Sequence, residues 1–136
     1  MSDFLDANVI LYLFSRDGRK RGIAENIVDT ALHSDASISF QVVQEVLNVM
    51  TRRAGDSMYP DDPHESLEDV LVPLWSVMPS QRLYERALAV QSRYRYSFYD
   101  SLIIAAALEA GCSRLYSEDL QNGQRIEGLT ITNPFA

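Results

Sequence analysis

Phe4-Leu5-Asp6-Ala7-Asn8-Val9-Ile10-Leu11-Tyr12-Leu13-Phe14 is an apolar run with one carboxylate, Asp6, set inside it. Residues 4–6 read as a buried central strand and residues 8–14 as a short helix leaving it, although so short an apolar run does not by itself separate strand from helix. A strand buried on both faces belongs in a parallel sheet. A charge in such a strand is costly unless it is paired or binds a cation. Its natural place is the carboxyl end of the strand, where open α/β sheets keep their ligand crevice. The fold then turns on which other acids reach that point.

Working outward, residues 16–22 read as a polar, basic loop and residues 23–32 as an amphipathic helix with Ile23, Ile27, Val28, Ala31 and Leu32 on one side. Residues 36–40 read as a short strand. Residues 41–53 form a helix pattern, with Gly55 as its stop. A turn-rich link at 58–63 leads to Asp62, Pro63 and Glu65, which suit an N-cap, first helical residue and capping-box partner. That helix runs to about Trp75 with a break at Pro73. Residues 77–78 suggest a brief strand. Ser80 and Ser97 suit the caps of helices over 81–93 and 98–110, the second ended by Gly111. Residues 114–117 and 129–132 read as the last two strands. Strands alternating with helices point to one α/β domain over residues 1–136, with helices on both faces of a mostly parallel sheet. The run Leu102-Ile103-Ile104-Ala105-Ala106-Ala107-Leu108 is apolar on every side of its helix and should be deeply buried.

The chain has 136 residues, enough for one domain with a real core. Its longest apolar stretch, Leu102 to Leu108, is too short to span a membrane. The first residues carry Asp3 and Asp6 without a leading positive charge, unlike a secretory signal. Cys112 is the sole cysteine, so no internal disulfide can form, and an intracellular, cytoplasmic setting is expected. The net charge of −7 argues against a passive nucleic-acid binder. The basic set is nonetheless lopsided toward arginine, which suits bidentate phosphate contacts. Arg16, Arg19, Lys20 and Arg21 cluster after the first helix, either as solvated surface or as candidate phosphate contacts; for a single-stranded nucleic-acid ligand, Tyr12, Tyr96 and Tyr99 would be candidate stacking partners for bases.

In a parallel α/β sheet, helix N-termini lie at the same edge as strand carboxyl ends. Asp6 ends the first strand, Asp119 follows a late one, Asp100 lies in the first turn of the buried helix, and Glu45 lies one turn below the edge with Gln41 stacked above it. Four carboxylates at one edge repel one another unless cations join them. The donors are hard oxygens, and the only histidines, His33 and His64, stand in polar contexts. That disfavours a zinc-type site and favours Mg²⁺ or Mn²⁺, the ions of metal-assisted phosphodiester hydrolysis. Each acid also has a plainer role open to it. Asp100 completes a capping box with Ser97, Glu45 could lie on a polar face, and Asp119 could only close a turn in which Glu118 is a rival ligand.

With these motifs in place, nearly the whole chain resembles PIN-domain proteins of the VapC toxin type. The resemblance rests on four stretches: Phe4-Leu5-Asp6-Ala7-Asn8-Val9-Ile10-Leu11, Ser39-Phe40-Gln41-Val42-Val43-Gln44-Glu45-Val46, Tyr99-Asp100-Ser101-Leu102-Ile103-Ile104-Ala105-Ala106-Ala107 and Ser117-Glu118-Asp119-Leu120. The third is the most specific. The resemblance implies a three-layer α/β/α fold with a central parallel sheet of about five strands. It also implies Mg²⁺-dependent endoribonuclease activity, homodimers and a cognate antitoxin. The implied catalytic set is Asp6, Glu45, Asp100 and Asp119. Asp6 and Asp100 are the expected metal ligands, supported by Asn8, Gln41, Ser117 and Glu118. Two features depart from the pattern: Gln121 stands where a further acid is common, and the chain is more acidic than RNA cleavage suggests.

Other functions are less well matched. An aspartyl phosphatase needs a second Asp where Asn8 stands, and a phosphoacceptor receiver needs a late lysine, whereas Lys20 is the sole lysine. A non-catalytic PIN-fold module that binds RNA or protein is the remaining alternative. An antitoxin could lie on apolar residues such as Ile27, Val43 and Val49, flanked by Arg52 and Arg53, and place an arginine among the four acids.

Overall fold

A computed structural model describes residues 2–52 and 62–136 of the chain. Strand β1 (Asp3–Leu5) leads directly into helix α1 (Ala7–Leu11), which tightens into a 3₁₀ turn, Tyr12–Phe14. Helix α2 (Gly18–Leu32), strand β2 (Ile38–Ser39) and helix α3 (Phe40–Arg52) follow. Helix α4 (Pro63–Ser66), a π turn at Leu67–Leu71 and helix α5 (Val72–Leu74) form one irregular helical stretch. Strand β3 (Trp75–Val77), helices α6 (Gln81–Tyr94) and α7 (Phe98–Glu109), and strands β4 (Arg114–Tyr116), β5 (Arg125–Ile126) and β6 (Leu129–Thr132) complete the chain.

The sheet is built around β1. On one side β1 pairs in parallel with β4, Phe4 opposite Leu115, and β4 pairs in parallel with β6, Leu115 opposite Ile131. On the other side Phe4 bridges in parallel to Ser37, and β2 runs parallel to β3. The five parallel strands expected in one sheet thus fall into two, β1, β4 and β6 in one and β2 and β3 in the other, linked by the bridge from Phe4 to Ser37. The sixth, β5, is antiparallel to β6 and was not foreseen. Phe4 and Leu5 are both fully buried, and successive side chains of a strand face opposite ways, so helices cover both faces of the sheet. Each such side chain contributes about 1.5–3 kcal/mol by leaving water.

Local chemistry sets the helix ends. Asp62, Ser80 and Ser97 cap α4, α6 and α7 as their positions predict. The break expected at Pro73 is not there: Pro73 lies inside α5, and the irregularity is the π turn before it. Helix α7 buries every residue from Ser101 to Ala107, as an all-apolar surface requires. The basic segment at 16–22 is not a loop. Asp17 accepts from the backbone N–H groups of Arg19 at 3.0 Å and Lys20 at 3.2 Å, and α2 therefore begins at Gly18. This cap outweighs the unfavourable placement of cations at a helix N-terminus. The expected contribution of Val43 to an open groove also fails, because its side chain is buried in the main core. Arg53, the stop at Gly55 and the turn residues up to Asp61 lie outside the described residues. Among the described residues, no helix is long and apolar enough to cross a membrane.

Candidate active site

Asp6 sits where β1 ends and α1 begins. One carboxylate oxygen accepts from the Ala7 N–H at 2.7 Å, which makes Asp6 the N-cap of α1. The other accepts from the Ser117 hydroxyl, also at 2.7 Å. The side chain is almost sealed from solvent. Burial raises its pKa from 3.8 to about 6 against the pull of those two hydrogen bonds, and the charges of Glu45 and Asp119 add to the rise.

Ser117, fully buried just beyond β4, organises the second side of the site. Its oxygen donates to Asp6 and accepts from the Asp119 N–H at 3.2 Å and, at a long 3.4 Å, from the Asn8 amide. One donor and two acceptor sites are the full capacity of a hydroxyl. Asn8 ties the same pieces together from α1: its Nδ2 donates to Asp119 at 3.2 Å and its Oδ1 accepts from the Glu118 N–H at 3.3 Å. The loop bearing Asp119 is thus locked to the strand and helix that bear Asp6.

Glu118, the acid beside Asp119, is engaged within the fold. Lys20 reaches its carboxylate at 2.7 Å, and the Tyr12 hydroxyl donates to its other oxygen. Burial pushes the Glu118 carboxyl up, but these two hydrogen bonds outweigh it and hold the group below the usual range. The Lys20 ammonium also lies 4.7 Å from the centre of the Tyr12 ring. The neighbouring basic residues have local partners too. Arg19 donates to the Phe135 carbonyl at 2.9 Å, and Arg21 donates to the Ser15 carbonyl at 2.8 Å. Arg16 is exposed.

The third side comes from α3 and α7. Gln41 is buried, and its Nε2 donates to Glu45 at 3.0 Å and to the Tyr99 carbonyl at 3.2 Å. It fastens Glu45 to the turn of α7 that carries Asp100. Glu45 as a residue is exposed. Its carboxyl pKa is still raised, first by partial desolvation and then, against the Gln41 hydrogen bond, by the charges of Asp100 and Asp119. Ser97 accepts from the Asp100 N–H at 3.1 Å, but no hydrogen bond returns from Ser97 to the Asp100 carboxylate among the described residues. The capping box is therefore half made, and the Asp100 carboxylate is not consumed by it.

Glu45 thus feels the charges of Asp100 and Asp119, and Asp6 feels those of Glu45 and Asp119. Among the described residues, no three Asp, Glu, His or Cys side chains gather closely enough to hold an ion as they stand. The donor set still fits a hard cation with its water shell. It offers four carboxylates, and the buried Gln41 Oε1 beside Glu45 has no hydrogen-bond donor. His33 and His64 are exposed and take no part.

The PIN domain family model matches residues 4–124. Among solved structures, a toxin–antitoxin complex from Klebsiella pneumoniae is similar, with 19% identity and a TM-score of 0.71 over 97% of each chain. FitAcB from Neisseria gonorrhoeae shows 18% identity and a TM-score of 0.70 over 98% of each chain. The Mycobacterium tuberculosis toxin VapC20, which cleaves the sarcin–ricin loop, shows 19% identity and a TM-score of 0.63 over 86% of this chain and 89% of its own. No curated protein sequence matches the chain.

Proposed function

Because the chain belongs to the PIN-domain family, we propose that it is a metal-dependent endoribonuclease, the toxin of a type II toxin–antitoxin pair. The observation that carries this reading is the buried Asp6 at the carboxyl end of β1, with its pKa raised partly by Glu45 and Asp119. Carboxylates so placed cost stability, and cation binding is the chemistry that repays it. Asp6 and Asp100 are the residues to hold Mg²⁺ or Mn²⁺, with Glu45 and Asp119 completing the site or holding its waters. Such an ion supplies Lewis acidity toward a phosphodiester and charge that favours hydroxide at neutral pH. Ser117 and Asn8 orient Asp6 and Asp119, and Gln41 orients Glu45.

The toxin role draws on the toxin–antitoxin complexes among the similar folds. It implies a cognate antitoxin, and a homodimer is part of the same reading. The chain would act in the cytoplasm, where both RNA and antitoxin are found. A non-catalytic RNA- or protein-binding module is the second reading, favoured by the spacing of the acids as they stand.

The deciding experiment treats purified protein with EDTA and then restores Mg²⁺ or Mn²⁺ in the presence of RNA. Cleavage should vanish and return, and Asp100→Asn should remove it while the fold persists. Full cleavage by metal-free protein overturns the metal-dependent reading; binding without cleavage under any metal supports the second. Co-purification with the product of an adjacent short gene tests the toxin role, and failure to associate leaves a free-standing ribonuclease.

A further inference from the structure

The cations expected to meet RNA near the first helix are largely engaged within the fold, with Lys20 on Glu118, Arg19 on the Phe135 carbonyl and Arg21 on the Ser15 carbonyl. Two of the three candidate stacking tyrosines are engaged as well. Tyr12 donates to Glu118 and packs edge-on against Phe135, with ring centres 4.6 Å apart. Tyr96 donates to Gln124 and accepts from the Gln121 N–H.

Tyr99 differs. It is 67% exposed, the most of any large apolar side chain described, and it directly precedes Asp100. Its hydroxyl has no hydrogen bond among the described residues. Its backbone is nevertheless fixed, because Gln41 donates to its carbonyl at 3.2 Å and Ser97 caps the turn that contains it. Phe98 meets the Tyr99 ring edge-on, with centres 5.5 Å apart and planes at 71°. A large ring held at the solvent boundary loses apolar stabilisation unless something else covers it.

Arg95 lies four residues earlier, at the C-cap of α6. Its φ of +62° places a non-glycine residue in the left-handed region. Glycine would adopt that conformation without strain, so local folding does not call for an arginine there. Its side chain is exposed and forms no ion pair among the described residues. Four residues of chain keep its Cα within about 14 Å of that of Tyr99.

Resting on the ribonuclease reading, we propose that the α6–α7 corner is the substrate-binding subsite, where Tyr99 stacks on an unpaired base of single-stranded RNA next to the scissile phosphate and Arg95 contacts a flanking phosphate. The basic end of α2 serves the fold rather than the substrate. Stacking tolerates any base, so this subsite selects for unstacked RNA and not for a sequence. A base in a duplex cannot reach Tyr99 without first leaving its own stack.

The test uses short unstructured RNA carrying 2-aminopurine at successive positions, bound in EDTA so that affinity is read without turnover. One position should be quenched by the wild-type protein and by Tyr99→Phe, and not by Tyr99→Ala, whose affinity should fall about tenfold to a hundredfold. Arg95→Gly should lower the slope of log affinity against log salt by about 0.7, as loss of one phosphate contact to a single strand requires. Its Tm should equal or exceed that of the wild type, which separates lost binding from lost folding. Unchanged affinity and quenching in Tyr99→Ala, or an unchanged salt slope in Arg95→Gly, overturns the assignment alone. A wild-type protein that neither binds nor cleaves RNA overturns the ribonuclease reading along with it.

Discussion

Ser117 donates its hydroxyl proton to Asp6 across 2.7 Å, and the two residues stand 111 positions apart in the chain. The contact joins the ends of two neighbouring parallel strands, β1 and β4. It also opposes the burial that raises the Asp6 pKa. Ser117→Ala removes that opposition, so the Asp6 pKa should rise further above about 6. The acidic limb of the pH–rate profile should move to higher pH, and stability above that limb should fall by about 1.5–3 kcal/mol, the worth of a hydrogen bond to a charged group. Cleavage rates across pH and denaturant unfolding of the same variant read both effects.

Asp6 binds its proton more tightly in the folded chain than in the unfolded one, because its folded pKa is about 6 against an ordinary value of 3.8. Protonation therefore favours the native state. The contribution of this group is most favourable below about pH 4 and is lost as the pH climbs to about 6. Asp6→Asn retains a good N-cap for α1 and removes the buried charge. Without metal, it should stabilise the protein at pH 7 by on the order of 3 kcal/mol, the equivalent of the shift. Below about pH 4 the gain should disappear. Urea unfolding of both proteins in EDTA at the two pH values checks this, and equal gains at both would exclude burial of the Asp6 charge as the cause.

Much of this site was legible because its signals are local. An acid at the end of an apolar strand, a serine three residues before Asp100 and an all-apolar helix each point one way within a dozen residues. What escaped depends on partners far away in sequence. Lys20 and Glu118 are 98 residues apart, and no pattern near either shows that they pair. The engagement of Tyr12 and Tyr96, and so the isolation of Tyr99, is likewise a matter of tertiary contacts. The start of α2 was in fact readable from Asp17, but the cluster of charges behind it suggested solvent-exposed loop. Strand β5 has only two residues, too few for alternation to register.

Gln41 gives a third prediction, since it joins Glu45 to the turn that carries Asp100. Gln41→Leu keeps the size of the side chain, removes both bonds, and also removes the buried Oε1 that lacks a donor. These effects on stability oppose each other, and the net change should stay within about 1 kcal/mol. Turnover should fall about tenfold to a hundredfold through misplacement of Glu45. An active-site titration with metal, compared with thermal unfolding, distinguishes this from a packing defect: a variant that loses stability but keeps its rate contradicts the positioning role.

The last prediction concerns the pair Lys20 and Glu118. If Lys20 exists to hold Glu118, which holds the loop before Asp119, then removing either partner should do the same damage. Lys20→Met leaves Glu118 with burial that raises its pKa and only the Tyr12 hydrogen bond against it. Glu118→Gln leaves the Lys20 ammonium beside Tyr12 without its counter-charge. Each single variant should lower the Tm, and the double variant should lower it by less than the sum of the two, as residues acting through one contact do. Lys20→Met should also leave the salt dependence of RNA binding unchanged, because its ammonium is spent on a carboxylate. A phosphate-binding lysine gives the opposite pattern: additive Tm changes and a salt slope reduced in Lys20→Met but not in Glu118→Gln. Thermal unfolding of the four proteins and binding of single-stranded RNA across a salt series separate the two roles.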